Sequence, residues 1–367
     1  MTPITFQAMP KVSVVVPAFN TAKYLPECLD SLLGQTLSDV EIVCIDDGSS
    51  DRTADILAEY ARKDARIRFF SQENRGLSAS RNRAVGSCRG DYLLFCDSDD
   101  KLKPDALLNL TRKADAETLD ILFFSGETFF DDGDNRTANG ANYDAYYTFK
   151  SDLSSPRPGA NLLADMVSAN EFRSSACMQL IRRGHLEESG IRFFDGILHE
   201  DNLFTFENLL SAKRAARVND PWYLRRMRAD SIMTAPKRLE NVVGYAVCAR
   251  EMLRFARERP LPPAIETACA KLVTAMVGAC RRVFDGLSPD EAARLEGISP
   301  LDRLWIDIVR RSRSERDYLA EKNRADRFAE QLEKREDELR LIRRSLTFRS
   351  GSALLFVPKT LFRLFKK

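Results

Sequence analysis

Short apolar segments alternate with amphipathic segments along the first third of the chain. The apolar segments are Val12–Val16, Val40–Ile45, Ile67–Phe70 and Tyr92–Cys96, and a further one lies at Leu119–Phe124. Between them, apolar residues recur at helical spacing. Continuous apolar runs of this length are typical of strands that are buried on both faces, and the helical segments predict crossover connections. The pattern therefore predicts an α/β fold with a doubly wound, mostly parallel sheet, followed by a helical C-terminal region and a basic amphipathic tail.

Polar, turn-forming residues follow each predicted strand. They are Asn20, then Asp46 and Asp47, then Asn74, and finally Asp97 and Asp99. Because the carboxyl ends of parallel strands meet at one edge of a sheet, these loops should line a single crevice. Turns rich in Asp and Asn explain any one of these loops, but explain the whole set less well.

Two interpretations stay open for Asp97 and Asp99 at this point. Side chains alternate along a strand, so the two carboxylates could point the same way and share a hard divalent cation. They could instead belong to an acidic turn that caps the helix beginning near Pro104. No GxGxxG or P-loop sequence is present, which argues against a dinucleotide or P-loop phosphate site.

Composition narrows the functional classes. The chain has 367 residues, of which 44% are hydrophobic and 30% charged, and its length suits two or three domains. The net charge of +2 argues against nucleic acid as a partner. The eight cysteines show no zinc spacing and are predicted to be buried thiols in a reducing compartment. We recognise no signal peptide and no apolar run of the ~20 residues that span a bilayer, so a cytoplasmic protein is predicted.

Four motifs, taken together and in order, resemble a known family. They are Val14-Val15-Val16-Pro17-Ala18-Phe19-Asn20, Ile45-Asp46-Asp47-Gly48-Ser49-Ser50-Asp51, Glu73–Asn82 and Phe95–Asp100. This set is similar to the family 2 inverting glycosyltransferases of GT-A fold. The resemblance extends to Phe194–Phe204 and to Trp222–Ile232, a segment similar to the one that closes the domain in capsule- and lipopolysaccharide-type members. It covers about residues 11–235.

The resemblance implies a nucleotide-sugar site. Its residues would be Pro17, Phe19, Asn20, Asp47, Asn74, Arg81, Asp97, Ser98, Arg228 and Ser231. Pro17, Phe19 and Asp47 would hold the base, and Arg228 and Ser231 would reach the diphosphate. The alternative for Arg228 and Ser231 is an ordinary surface turn.

The resemblance also implies a metal ion. Asp97-Ser98-Asp99 resembles the family's DxD motif, in which Asp97 and Asp99 would bind Mg²⁺ or Mn²⁺ bridging the donor diphosphate. Arg81 would lie near the nucleotide, and the alternative for it is a solvated arginine on a helix.

Asp201 is the predicted catalytic base, with Glu200 as a partner that orients the site or contacts the acceptor. Displacement at the anomeric carbon with inversion needs one carboxylate to take the acceptor proton while the diphosphate leaves on the opposite face. From position alone, both carboxylates could merely cap the helix that follows them. His199 is predicted to have a structural or surface role.

The patterns divide the chain into six segments. They are a lead-in (1–10), a nucleotide-sugar-binding half (11–110), an acceptor-binding half (111–238), a helical region (239–312), a charged helix (313–346) and a basic amphipathic tail (347–367). Residues 131–160 are rich in Asp, Asn, Gly, Ser and Pro and are predicted to form a loop. The charged helix has apolar residues at a/d spacing, so it is either a coiled coil that forms a homodimer or a solvated helix on its own domain.

The tail completes the functional hypothesis. Residues 347–367 combine apolar side chains with basic ones and contain no acidic residue, which favours the plane of an anionic membrane over a helix docked on the protein. We therefore predict a peripheral enzyme at the inner face of the cytoplasmic membrane. It would move a sugar from a nucleotide donor, a UDP-sugar, to a hydroxyl of a cell-surface glycan or lipid-linked saccharide. The alternatives are a nucleotidyltransferase on a related fold and a catalytically silent glycan- or nucleotide-binding scaffold.

Deletion of residues 347–367 should release the protein from anionic vesicles in a flotation assay. Each basic residue near such a surface contributes about 1 kcal/mol, so removal of the tail removes most of the attraction. Vesicles of neutral lipid are the control. Binding to anionic vesicles that is unchanged by the deletion would contradict the membrane role of the tail.

Overall fold

The computed structural model describes residues 9–130, 146–227 and 236–311. Several sequence predictions therefore fall outside the described residues. These are the first eight residues of the lead-in, residues 131–145 of the predicted loop, Arg228 and Ser231, the charged helix and the basic tail.

Within the described residues, nine strands form one mixed sheet. They are β1 (Val12–Ala18), β2 (Val40–Asp46), β3 (Ile67–Ser71), β4 (Tyr92–Phe95), β5 (Lys101–Leu102), β6 (Ile121–Phe130), β7 (Leu153–Arg157), β8 (Gln179–Arg182) and β9 (Ala215–Met227). The order is β3-β2-β1-β4-β8-β6-β9-β5, and β7 also pairs with β9. The first four strands are parallel, whereas β8 is antiparallel to both β4 and β6.

Eleven helices are found in the same residues. They are α1 (Leu25–Leu33), α2 (Thr53–Lys63), α3 (Leu77–Val85), α4 (Ala106–Ala116), α5 (Gly159–Ser168), α6 (Arg183–Ser189), α7 (Glu200–Ser211), α8 (Leu239–Arg257), α9 (Pro263–Asp285), α10 (Pro289–Ala293) and α11 (Pro300–Arg311). Two short 3₁₀ helices lie at Ala176–Met178 and Arg294–Gly297. The alternation of strands and helices through β4 confirms the predicted α/β class.

The apolar runs form the core of the sheet. Every residue of β1 and β2 is buried, as expected for central strands covered on both faces. The one charged side chain on the interior of β2, Glu41, accepts hydrogen bonds from Ser13 Oγ (2.6 Å) and from Arg68 Nη1 (2.9 Å). A buried carboxylate is tolerated there because it is paired. The eight cysteines are buried free thiols, as predicted.

The predicted helical region after residue 238 is confirmed by α8 to α11. Helix α8 packs against α7 and α9, and α9 also packs against α5. By length and composition alone, α9 is the one helix of the described residues that could cross a bilayer, although the apolar stretch is part of this packing. The chain up to Val309 forms one compact unit and a second begins at Arg310; the finer segment boundaries stay predictions.

The prediction of a loop over residues 131–160 is wrong for the C-terminal part of that range. Strand β7 lies within it, and α5 begins at Gly159. Pro156 argues against a strand in the sequence because proline cannot donate to a ladder. Among the described residues β7 pairs with β9 alone, so it is an edge strand, in which a proline is tolerated.

Candidate active site

Arg81 on α3 brings the predicted site residues together. Its side chain is almost fully buried, with 1% of the residue exposed. Nη1 donates to Asp201 Oδ1 at 2.6 Å and to Glu200 Oε1 at 3.0 Å. Nη2 donates to Asp97 Oδ1 at 3.0 Å. The end of β4 and the start of α7 therefore meet at one guanidinium.

Aromatic rings surround this guanidinium. Its carbon lies 5.1 Å from the ring centroid of Phe193 and 5.9 Å from that of Phe95. Phe193 in turn stacks on Phe204 of α7 with centroids 3.8 Å apart. Burial alone would lower the pKa of Arg81, but the carboxylates of Asp201 and Asp97 outweigh it and raise the pKa above its usual value. Arg81 is therefore a permanent positive charge.

The two predicted catalytic carboxylates differ in their surroundings. Glu200 is buried, and burial followed by the charge of Asp201 raises the pKa of Glu200 to about 7. The side chain of Asp201 is one quarter exposed. Its Oδ1 is bonded to Arg81, and its Oδ2 accepts the Ala176 N–H at 3.3 Å. Asp201 is thus the member of the pair that solvent or a substrate can reach.

Asp97 lies two residues beyond the end of β4, with a quarter of its side chain exposed. Burial raises the pKa of Asp97, but the charges of Arg81 and Arg225 prevail and hold it below its usual value. Asp97 is therefore ionised at neutral pH. Asp99 is also partly exposed, and the hydroxyl of Ser98 between them is buried and donates to Thr21 Oγ1 at 3.0 Å.

Residues of strand β9 form hydrogen bonds with the acidic segment Asp97–Asp100. Tyr223 donates its hydroxyl hydrogen to Asp100 Oδ2 (2.7 Å), and its oxygen accepts the Asp97 N–H (3.2 Å). The backbone N–H of Arg226 donates to Asp100 Oδ1 at 2.7 Å. Burial, with the charges of Asp99 and Asp97 added, raises the pKa of Asp100 to about 7.

Three of these residues were missed from the sequence: Asp100, Tyr223 and Arg225. The sequence of β9 could have indicated two of them: Tyr223 and Arg225 are two residues apart, so their side chains lie on the same face of the strand. Nothing else in the sequence distinguishes Arg225 as a site residue, because its segment is rich in arginine. Its pKa is raised by Asp100 and Asp97 despite burial, which places its charge among the acidic residues.

The loops after β1, β2 and β3 lie together, as the sequence predicts. Asp47 is buried and accepts three hydrogen bonds, from Gln72 Nε2, Arg75 N and Gly76 N (2.7–2.9 Å). Asn20 Oδ1 accepts the Ser50 N–H at 2.8 Å. These hydrogen bonds join the loops to one another and stabilise their conformations.

The remaining predicted nucleotide residues lie on or beside these loops. Asn74 is exposed, and its backbone nitrogen lies so close to Gly48 that a Cβ there would come within 2.8 Å of it. Pro17 is buried, whereas Phe19 is 47% exposed. An aromatic ring that remains this accessible is available to a planar ligand.

The donor set at the end of β4 fits a hard divalent cation. Asp97 and Asp99 are partly exposed, and burial followed by their two charges raises the pKa of the neighbouring Asp100. The described residues contain no group of three or more His, Cys, Asp or Glu side chains arranged as a complete metal site. Two protein ligands are sufficient where phosphate oxygens and waters supply the others.

Comparisons with known proteins identify the family of the chain. The model of the family described as Glycosyl transferase family 2 matches residues 13–190. The uncharacterized glycosyltransferase EpsJ of Bacillus subtilis (strain 168) is 33% identical over 283 residues, which are 71% of this chain and 79% of that protein.

Two solved structures share the fold. S. aureus TarS 1–349 in complex with UDP-GlcNAc has a TM-score of 0.54 and 22% identity, covering 82% of this chain and 90% of that one. The mannosyltransferase PcManGT from Pyrobaculum calidifontis, in complex with GDP-Man and Mn²⁺, has a TM-score of 0.50 and 17% identity, covering 87% and 88%.

Fold, site and relatives together define a glycosyltransferase of GT-A fold. The chain belongs to glycosyl transferase family 2. The resemblance read from the four motifs is therefore confirmed, and membership favours sugar transfer over the nucleotidyltransferase and the silent scaffold.

Replacing Arg81 with Met should lower the free energy of unfolding by about 3–5 kcal/mol near neutral pH, because the carboxylates it neutralises lose their counter-charge. The Asp97 pKa is lowered by folding, so the stability it contributes is present above the usual Asp pKa and is lost as the pH falls. The difference between variant and wild type should therefore be full at pH 7 and smaller at about pH 3, below the usual Asp pKa.

Urea denaturation at both pH values measures this effect. Arg83→Met is the matched control, because Arg83 lies on the same helix but is exposed. Equal losses for the two variants, or a loss for Arg81→Met that does not depend on pH, would contradict the role given to Arg81.

Proposed function

We propose that this enzyme transfers a sugar, with inversion, from a UDP-sugar to a hydroxyl of a cell-surface glycan or lipid-linked saccharide. It would work at the inner face of the cytoplasmic membrane, where the basic tail attaches it. The main support is one observation: Arg81 bonds Asp97 and Asp201 through its two terminal nitrogens, so the predicted metal ligand and the predicted base share one site.

The donor base would lie over the loops after β1, β2 and β3. Phe19 is accessible beside Pro17, and an exposed aromatic ring suits a nucleobase. An ionised carboxylate has about four acceptor positions, and Asp47 uses three. The fourth could accept the imide N–H of uracil. Asn20, Asn74, Ser98 and Arg81 stay predicted contributors on the donor side.

Asp97 and Asp99 would hold the divalent cation. Such an ion neutralises the charge that develops on the departing nucleoside diphosphate. Arg225 adds fixed positive charge beside Asp97 and Asp100 and would favour the same oxygens. Arg228 and Ser231 follow the end of β9 in the chain and stay predicted contacts to the diphosphate.

Asp201 would take the proton of the acceptor hydroxyl. Arg81 fixes Oδ1, so the carboxylate has one orientation while Oδ2 keeps lone pairs for the acceptor. Glu200 is buried and accepts a hydrogen bond from the same guanidinium, so it would help to orient Arg81. A carboxylate held in place before the substrate arrives loses little entropy in the reaction.

Asp201→Asn should leave UDP binding nearly intact and lower turnover by about 10²–10⁴-fold, the usual contribution of a general base. Calorimetry with UDP and release of UDP from a panel of UDP-sugars measure the two effects. Asp165→Asn is the matched control, because Asp165 pairs with Arg157 at the same 2.6 Å on a different helix. If binding and turnover fall by the same factor, Asp201 is not the base.

Removal of divalent cations with EDTA should weaken UDP binding by about tenfold or more, because two phosphate charges then face unscreened carboxylates. Asp99→Asn should weaken it similarly in the presence of Mn²⁺. Asp105→Asn, an exposed carboxylate at the start of α4, is the control. UDP affinity that is insensitive to both EDTA and Asp99→Asn would remove the metal from the proposal.

A further inference from the structure

His199, immediately before the two catalytic carboxylates, has a strained backbone. Its φ is +68°, in the left-handed region that residues other than glycine rarely adopt. Such a conformation is strained and persists only where the surroundings enforce it. Helix α7 begins at the next residue, Glu200. The direction of its first turn therefore depends on how His199 is held.

The ring of His199 is held by α8. It stacks on Tyr245, with centroids 3.9 Å apart and planes 11° from parallel. Its Nε2 lies 3.1 Å from Asn241 Nδ2. Asn241 Oδ1 accepts the Arg238 N–H, so Nδ2 is the donor and Nε2 the acceptor. This requires a neutral ring with its hydrogen on Nδ1.

The charge state of the ring agrees with this arrangement. Burial, and to a lesser degree the charge of Lys237, lowers the pKa of His199 to about 4. The ring is then neutral over the physiological range. Nε2 of the neutral ring can therefore accept the hydrogen bond from Asn241 Nδ2.

The backbone around His199 is also fixed by α8. The thiol of Cys248 donates to the His199 carbonyl at 3.4 Å, and the Asn202 N–H donates to the same oxygen at 3.0 Å. Gly244 passes so close that a Cβ on it would lie 2.1 Å from the Leu198 carbonyl oxygen. Only glycine permits this approach, because the opposing atom is backbone rather than a flexible side chain.

We propose that α8 positions the catalytic base: Asn241, Gly244 and Tyr245 hold Leu198–His199 in the conformation that aims Asp201 at the acceptor. They touch none of the reacting groups, so they are positioning residues. The inference rests on the proposed role of Asp201 and adds that the helical region belongs to the catalytic machinery. A displacement of about 1 Å at the base would be expected to cost about 10²-fold in rate.

Gly244→Ala should therefore lower kcat by about 10²-fold, while the affinity for UDP with Mn²⁺ changes less than about twofold. The control is Gly278→Ala on α9, where a Cβ would meet only the flexible end of Arg282 at 3.3 Å. Tyr245→Leu should also lower kcat, and Tyr245→Phe, which keeps the stacked ring, should restore it. These Tyr245 variants decide the question if Gly244→Ala does not fold.

A double-mutant cycle separates this inference from the proposed function. If α8 acts through Asp201, adding Gly244→Ala to Asp201→Asn should cost little further turnover. A full additional loss in the Asp201→Asn background would overturn the positioning role, as would wild-type kcat in both Gly244→Ala and Tyr245→Leu. Unimpaired turnover of Asp201→Asn alone would instead overturn the assignment of the base.

Discussion

A single buried positive charge, that of Arg81, makes this active site compatible with a folded protein. Moving a guanidinium out of water costs several kcal/mol, and so does gathering three carboxylates in one place. The guanidinium and the carboxylates offset these two costs together, since Asp97, Glu200 and Asp201 all accept hydrogen bonds from Arg81. Glu200 and Asp201 lie 119 and 120 residues from Arg81 in the chain, so the pairing forms only once both halves of the sheet are assembled.

Cations from two elements enclose the acidic segment after β4. Arg81 approaches from α3 and Arg225 from β9, and the Arg226 guanidinium, also on β9, donates to the Asp99 carbonyl at 2.8 Å. These arginines neutralise part of the negative charge of the segment. In the proposed reaction Asp97 and Asp99 would hold the cation, and the arginine charge beside them would favour the diphosphate.

The sequence was sufficient for the parallel half of the molecule and for the identity of most acidic groups. Apolar runs of strand length and the polar residues after them are local features, and the carboxyl-edge rule then gathers them. The pairing of Arg81 with Glu200 and Asp201 could not be predicted from the sequence, since no local pattern encodes contacts across 119 and 120 residues. Asp100 and Tyr223 were missed for the same reason. Strand β7 was hidden by Pro156, which has no backbone N–H and is therefore compatible with a strand only where the ladder requires no donor at that position.

The two parts of the proposed site lie in different parts of the chain. The family model ends at residue 190 and so includes β1 to β4, Arg81 and the DxD segment, but neither Glu200 nor Asp201. The carboxylate that would receive the acceptor proton lies in the part that follows; it is bonded to Arg81 and lies two residues after His199, which packs on α8. As the proposed base, Asp201 is held on one side by Arg81 and on the other, through His199, by a separate helical region. The charge on α3 and the close packing of α8 would together keep this carboxylate at a fixed distance from the proposed donor site.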